Sequence, residues 1–345
     1  MTSDSYLQWL VEQTPTLWWH DSGDPNELDW GLQHGASGVT TNPVLTSQAL
    51  HAQPTYWRER GAALPEGQRG SAKVEALMHA VAIDAARKVE PRYRASQGAV
   101  GYVCAQVNPN QAGDRDAMLD MARRFHQWAP NIAVKLPVTA AGLDVLETCV
   151  AEGITVTATV SFTVPQVIAI AERHRHGAAQ ARQAGIEPGH CFSVIMIGRL
   201  DDYLRDIALD QRAAVTETDI RTAGLAVTKR AYEIYQQRGY EAVLLVAALR
   251  GTYHATELAG ARLILSVHPK VQAMLADPSV PREQRIGWAV DADAVQRLKA
   301  VPEFVKAYEP EGMQPPEFMA YGLTQRTLAQ FDSAGWSPLE AYRLP

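Results

Sequence analysis

Short apolar runs rich in β-branched residues recur along the chain, separated by longer stretches whose apolar positions follow the spacing of an amphipathic helix. Eight runs predict strands: TLWWHD (16–21), SGVTTN (37–42), AVGYVCAQV (99–107), NIAVKLP (131–137), ITVTATVSF (154–162), CFSVIMIG (191–198), EAVLLVAAL (241–249) and ARLILSV (261–267). Between them, GDRDAMLDMARRFHQWA (113–129) predicts a helix with Asp114 as its N-cap. Another starts at Thr163, carries Pro165 in its first turn and stops at Gly185.

Strand and helix alternating eight times is the count of a (β/α)8 TIM barrel, an α/β fold of about 250 residues. A doubly wound open sheet competes with it, but no G-x-G-x-x-G follows the first strand. The pattern therefore predicts a barrel catalytic domain over 1–275 and a C-terminal helical extension over 276–345. Amphipathic segments in that extension are interrupted at Pro302 and at Pro315-Pro316, and are expected to cover the barrel rather than form a separate domain.

Composition narrows the class without naming a function. The chain has 345 residues, 46% hydrophobic and 20% charged, as in an ordinary globular protein. A net charge of −6 leaves no basic footprint for nucleic acid. The densest basic run, RHRHGAAQAR (173–182), falls in a helical pattern and reads as a solvated face. Cys104, Cys149 and Cys191 are far apart in apolar contexts with no metal-ligand spacing, which predicts reduced thiols and a cytoplasmic protein. No run of 18 apolar residues argues for a membrane span, and the polar N-terminus does not read as a signal peptide.

One residue breaks the apolar pattern. Lys135 sits inside NIAVKLP, near the C-terminal end of its strand, where barrel active sites are built. Alternation turns Ile132, Val134 and Leu136 outward and Ala133 and Lys135 inward. A desolvated lysine can serve as a Schiff-base nucleophile; the structural alternative is a lysine that snorkels to the rim or pairs with a carboxylate. The next strand alternates strictly and places Thr155, Thr157, Thr159 and Ser161 on one face, which predicts a polar interior beside the lysine.

Asp21, Thr40, Thr41, Asn42 and Gln106 end the first three strands at the same mouth, a set suited to acid–base work on a carbonyl or polyol. Asp21 or Asp24 could instead cap the following helix. Arg199 and Arg250 follow the sixth and seventh strands and suit a phosphate; salt bridges to Asp201, Asp202 or Glu257 are the structural alternative. His20, Asp21, His254, Glu257 and His268 raise a metal-dependent hydrolase, though their spacing fits no usual metal motif. A catalytically silent sugar-phosphate-binding barrel is a third class that architecture alone leaves open.

GVTTNPVL (38–45), NIAVKLPVTAAG (131–142), EGITVTATVSF (152–162) and IGRLDD (197–202) resemble, in order, the motifs of transaldolases and fructose-6-phosphate aldolases. The likeness runs from Asp21 to about Pro269. It implies a class I barrel enzyme that needs no metal or other cofactor and forms a Schiff base between Lys135 and a ketose phosphate. By the same resemblance Asp21 is the acid–base aspartate, Thr159 holds the catalytic water, and Thr40 and Asn42 touch the bound ketose. Arg199 and Arg250 match the phosphate-binding arginines. The expected partners are sugar-phosphate substrates, with no nucleic acid and no membrane, and with scope for a homo-oligomer.

Several positions depart from the family pattern. Gln106 stands where most transaldolases carry a glutamate and the aldolases a glutamine. Met196 stands where the aldolases carry a tyrosine and transaldolases a phenylalanine. Thr157 replaces an asparagine, Cys104 a serine, and Val194 and Ala248 serines near the phosphate. The resemblance thus implies dihydroxyacetone transfer between sugar phosphates, with reversible aldol cleavage releasing dihydroxyacetone as the alternative.

Overall fold

The computed structural model describes residues 5–60 and 67–343. Seven parallel strands form one curled sheet: β1 (Leu17–His20), β2 (Val103–Gln106), β3 (Ile132–Pro137), β4 (Val156–Thr159), β5 (Cys191–Met196), β6 (Val243–Ala247) and β7 (Ile264–Val267). Their order is β1-β7-β6-β5-β4-β3-β2. Helices connect them, and all six residues of β3 are buried because side chains on both faces are covered.

The predicted strand at 37–42 is not one. Only Val39 forms bridges, to His20 on one side and Val103 on the other. The segment nevertheless bonds to both edges of the sheet. His20 N–H donates to Gly38 O at 2.9 Å and Thr40 N–H to His20 O at 2.9 Å, while Val39 N–H donates to Tyr102 O at 2.8 Å and Cys104 N–H to Val39 O at 3.0 Å. Glycine is required here: a Cβ on Gly38 would lie 2.6 Å from the Trp19 ring, which the segment crosses at close range. The contact is real but too short to register as a strand.

Other strands also end earlier than the apolar runs suggest. Val160 and Ala248, immediately after β4 and β6, have φ of 57° and 60°. This left-handed backbone costs about 1–2 kcal/mol for a residue with a Cβ and turns the chain off the sheet. Gln166 clamps the first of these turns. Its Oε1 accepts from Phe162 N–H at 2.9 Å and its Nε2 donates to Val160 O at 3.2 Å. Strict alternation therefore stops at Thr159, and Ser161 does not continue the inward face; its hydroxyl donates to Val194 O.

Local signals set the helices where the sequence places them. Asp114 caps Arg115–His126 through Ala117 N–H at 3.0 Å, and Thr163 caps Val164–Gln183 through Gln166 N–H at 3.2 Å. Asp24, not Asp21, caps Pro25–Gln33, accepting from Asn26 N–H at 2.8 Å and Glu27 N–H at 3.2 Å. Within the lysine motif, Thr139 caps Ala140–Ala151, and Gly142 lets that helix dock onto the end of β3. A Cβ there would stand 1.9 Å from Pro137 O. Gly142→Ala should therefore shift the end of β3 and cost about 2–3 kcal/mol, read as a lower urea midpoint at unchanged m-value.

The basic run at 173–182 is laced by ion pairs: Arg173 with Asp144 and Glu147, and Arg182 with Glu241. All three cysteines are free and buried. Beyond β7, helices span Pro269–Leu275, Ala292–Leu298, Pro302–Tyr308, Gly322–Phe331 and Ser337–Ala341. Phe304, Phe318, Phe331 and Trp336 from this part belong to the same continuous core as Trp18 and Trp19. Among the described residues no helix is long and apolar enough to cross a membrane.

His20, fully buried at the end of β1, receives Gln272 Nε2–H on Nδ1 at 3.0 Å. Burial pushes its pKa down to about 4, against the pull of the nearby Asp21 charge. Between pH 6.5 and pH 4 the unfolded chain binds a proton that the native state refuses. Stability should therefore be level above pH 6.5 and fall by about 1.4 kcal/mol per pH unit below it from this group. Urea midpoints at pH 7.5 and 5.0, with His20→Gln flattening part of the difference, check the sign.

Candidate active site

The C-terminal ends of the strands open onto a cavity of about 590 Å³. Of the residues the sequence singles out, Lys135, Asp21, Thr40, Asn42, Thr159, Met196, Arg199 and Arg250 line it. Gln106, Thr157 and Ser161 do not. Gln106 lies on the same face as Lys135, its register partner, but is packed to 2% exposure. Thr157, also level with Lys135, is fully buried with Oγ1 3.4 Å from Cys104 Sγ.

Lys135 is 6% exposed, and its Nζ donates to Thr41 O at 3.3 Å. A lysine ammonium carries three donors, and among the described residues this one meets no carboxylate in an ion pair. The rim-pairing alternative thus finds no partner here. Thr159 Oγ1 and Gln106 Oε1 are buried and without a hydrogen-bond partner among the described residues. Orphaned polar atoms at this depth are costly unless a water or substrate group completes them.

Asp21 is held by a directed chain of hydroxyls. Thr40 Oγ1–H donates to Asp21 Oδ1 at 2.6 Å, so the 2.6 Å contact with Ser266 must run from the serine hydroxyl to the threonine. Because Asp24 caps the helix, Asp21 is spared for the cavity. Asn42 caps Pro43–Ala52 with Oδ1, accepting from Leu45 N–H at 3.0 Å, which leaves its Nδ2–H₂ as a donor at the cavity wall.

Across the cavity stand the arginines. Arg250 donates from Nε to Asp202 Oδ2 at 2.8 Å and from Nη1 to Ala248 O at 2.8 Å. Its predicted alternative partner Glu257 pairs with Arg285 and Lys229 instead. Arg199 donates to the Gln330 amide and lies 5.5 Å from the Phe331 ring centre. Burial, then the repulsion of Arg250, bring its pKa down to about 10, against the pull of Asp202 and Asp21.

The histidines raised as metal ligands serve separate structural tasks. His254 bonds to Asp201 at 3.0 Å and accepts from Arg250 N–H at 3.1 Å, while His268 caps Pro269–Leu275. Among the described residues no group of three or more His, Cys, Asp or Glu side chains is placed to hold a metal.

Comparison with known proteins now decides the family. A sequence profile described as Transaldolase/Fructose-6-phosphate aldolase matches residues 18–335. This chain belongs to the transaldolase/fructose-6-phosphate aldolase family. It is 27% identical over 333 residues to a protein named Transaldolase from Mycobacterium tuberculosis H37Rv, covering 86% of this chain and 88% of that one. It is 28% identical over 332 residues to the Transaldolase of Mycobacterium ulcerans Agy99, again with 86% and 88% covered. Against the Transaldolase of Thiobacillus denitrificans it is 30% identical over 230 residues, covering 64% of this chain and 62% of that one. Membership makes the protein an aldolase-type transferase enzyme.

Some cavity residues escaped the sequence reading. Ser266 is the one hydroxyl in the apolar run ARLILSV, the same kind of signal that exposes Lys135. Gln330 and Phe331 reach the cavity from the C-terminal helices, and no local pattern marks them in this family member.

Proposed function

We propose that the protein is a transaldolase, moving a dihydroxyacetone unit from a ketose phosphate to an aldose phosphate through a Schiff base on Lys135. The observation that carries this reading is a buried lysine with no carboxylate partner, at a strand end, sharing one cavity with Asp21 and two arginines.

In this reading the free amine of Lys135 attacks the keto carbon, and loss of water gives a protonated imine. Asp21 takes the proton of the C4 hydroxyl as the C3–C4 bond breaks. The bonding pair flows into the imine to give an enamine, and the aldose phosphate departs. An incoming aldehyde accepts the enamine carbon, Asp21 returns the proton to the new alkoxide, and water releases the new ketose. The unpartnered Thr159 hydroxyl and Gln106 carbonyl are suited to hold that water. Thr40 and Asn42 hold Asp21 and the ketose, Met196 walls the donor pocket, and Arg199 with Arg250 receives the phosphate. Thr157, on the Lys135 face but packed against Cys104, and Ser161, bonded to Val194 O, do not line the cavity and would shape its floor rather than touch substrate.

We further read the seven strands and the bridging segment at 37–40 as a (β/α)8 barrel, with residues 276–345 its helical cover. The site calls for no cofactor, and a cytoplasmic place suits three free thiols and phosphorylated substrates. A homo-oligomer is compatible with this reading.

Gln106 favours a second reading. An amide can orient water but cannot take its proton, as in the aldolases that release free dihydroxyacetone. Fructose 6-phosphate is incubated with and without erythrose 4-phosphate, following glyceraldehyde 3-phosphate and dihydroxyacetone. Multiple turnovers only with the acceptor support the transaldolase; multiple turnovers to free dihydroxyacetone without it support the aldolase.

A further inference from the structure

Gln330 lies on the wall between the main cavity and a second one of about 270 Å³, and lines both. Its amide oxygen accepts from Arg199 Nη1. Arginine only donates, so the orientation is chemically fixed and the amide Nε2–H₂ is the outward end. The two arginines differ in their partners. Arg250 is paired with Asp202, a carboxylate it shares with Arg205, whereas Arg199 forms no ion pair among the described residues and is held by a neutral amide.

The support beneath Gln330 is firm although its own side chain is exposed. Phe331, the next residue, is buried and packs beside the Arg199 guanidinium. Asp332 accepts from Asn110 Nδ2 at 2.7 Å and from Ser337 Oγ at 3.1 Å, tying this turn to the loop after β2. An exposed side chain on an anchored helix can rotate without repacking the core.

We propose that Gln330 is a specificity-determining residue for the anionic end of the substrate. It holds Arg199 in the free enzyme, yields that guanidinium to the arriving phosphate, and then donates its amide N–H to a phosphate oxygen. This rests on the sugar-phosphate reading of the site. Neutrality is the functional property: a carboxylate here would compete with phosphate for Arg199, and a cation would add to its pull.

The test is the series Gln330→Glu, Gln330→Leu and Gln330→Lys in the full chain, with two readouts. The first is KM and kcat for fructose 6-phosphate; the second is borohydride trapping of unphosphorylated dihydroxyacetone on Lys135. The expected result is a KM raised at least about tenfold in Gln330→Glu, a few-fold in Gln330→Leu, and unchanged or lowered in Gln330→Lys. Trapping of dihydroxyacetone should stay equal in all three. A KM that ignores the charge series while trapping persists overturns the role of Gln330 alone. Trapping that falls in step with KM makes the residue merely structural. No trapping in the wild-type protein overturns the reading of the site, and this inference with it.

Discussion

Lys135→Met abolishes ketose turnover, by on the order of 10⁵-fold or more, because Lys270, the other lysine lining the cavity, is solvent-exposed on the helix Pro269–Leu275 and lacks the buried strand-end setting of Lys135. The fold survives the change. Lys135 is surrounded by buried residues of β2, β3 and β4, and methionine fills nearly the same length without bringing a charge out of water. The urea midpoint should stay level or rise while activity disappears. An inactive variant that had also lost its cooperative transition would leave a structural lysine, so both measurements are made on the same preparation.

Asp21→Asn separates bond cleavage from imine formation. The amide keeps the shape and can still accept from the Thr40 hydroxyl, so the hydroxyl chain from Ser266 persists. What it loses is the ability to take the proton from the C4 hydroxyl, which should lower kcat by about 10²–10⁴-fold. Lys135 still condenses with the ketose, and the complex stalls before the carbon–carbon bond breaks. Borohydride should then trap the whole ketose phosphate on Lys135 in place of the three-carbon unit. Mass spectrometry of the reduced protein distinguishes the two adducts directly. Equal three-carbon adduct in variant and wild type would remove Asp21 from the cleavage step.

Much of this candidate site was legible because the strands of the curled parallel sheet carry two messages in one pattern. Lys135 stands out only against the apolar alternation around it, and Thr159 only through the threonine ladder of the next strand. The choice between Asp21 and Asp24 as cap was open in the sequence; the structure resolves it through hydrogen bonds from Asn26 and Glu27 to Asp24. Three kinds of feature did not show. Backbone reversals at Val160 and Ala248 end β4 and β6 early, and neither residue type advertises a left-handed conformation, so Ser161 was expected on a face it does not reach. The segment at 37–42 bonds to both sheet edges, but Gly38 packed on Trp19 leaves only Val39 in bridging geometry. Gln330 meets Arg199, and Asn110 anchors the turn beside it through Asp332, across 131 and 222 residues of sequence, and local periodicity carries no information about such contacts.

The departures from the family pattern gain a physical setting. Val194 and Ala248 line the same cavity as Arg199 and Arg250 and bring no hydroxyl to it, so in the proposed reading the phosphate would be met by the cationic side chains of that wall. Arg250 is paired with Asp202, whereas Arg199 forms no ion pair among the described residues. Gln106 places a carbonyl with no partner among the described residues on the same face as Lys135, and in the proposed mechanism the fate of the enamine would turn on how that amide arranges water.

The central claim is that Lys135 is the covalent nucleophile. Wild-type protein incubated with fructose 6-phosphate is reduced with borohydride, digested, and its peptides are sequenced by mass spectrometry. The account predicts a three-carbon dihydroxyacetone adduct on the peptide containing Lys135, lost when erythrose 4-phosphate is supplied and absent from Lys135→Met. An adduct on any other lysine, or none with a ketose phosphate that the protein demonstrably turns over, would contradict it.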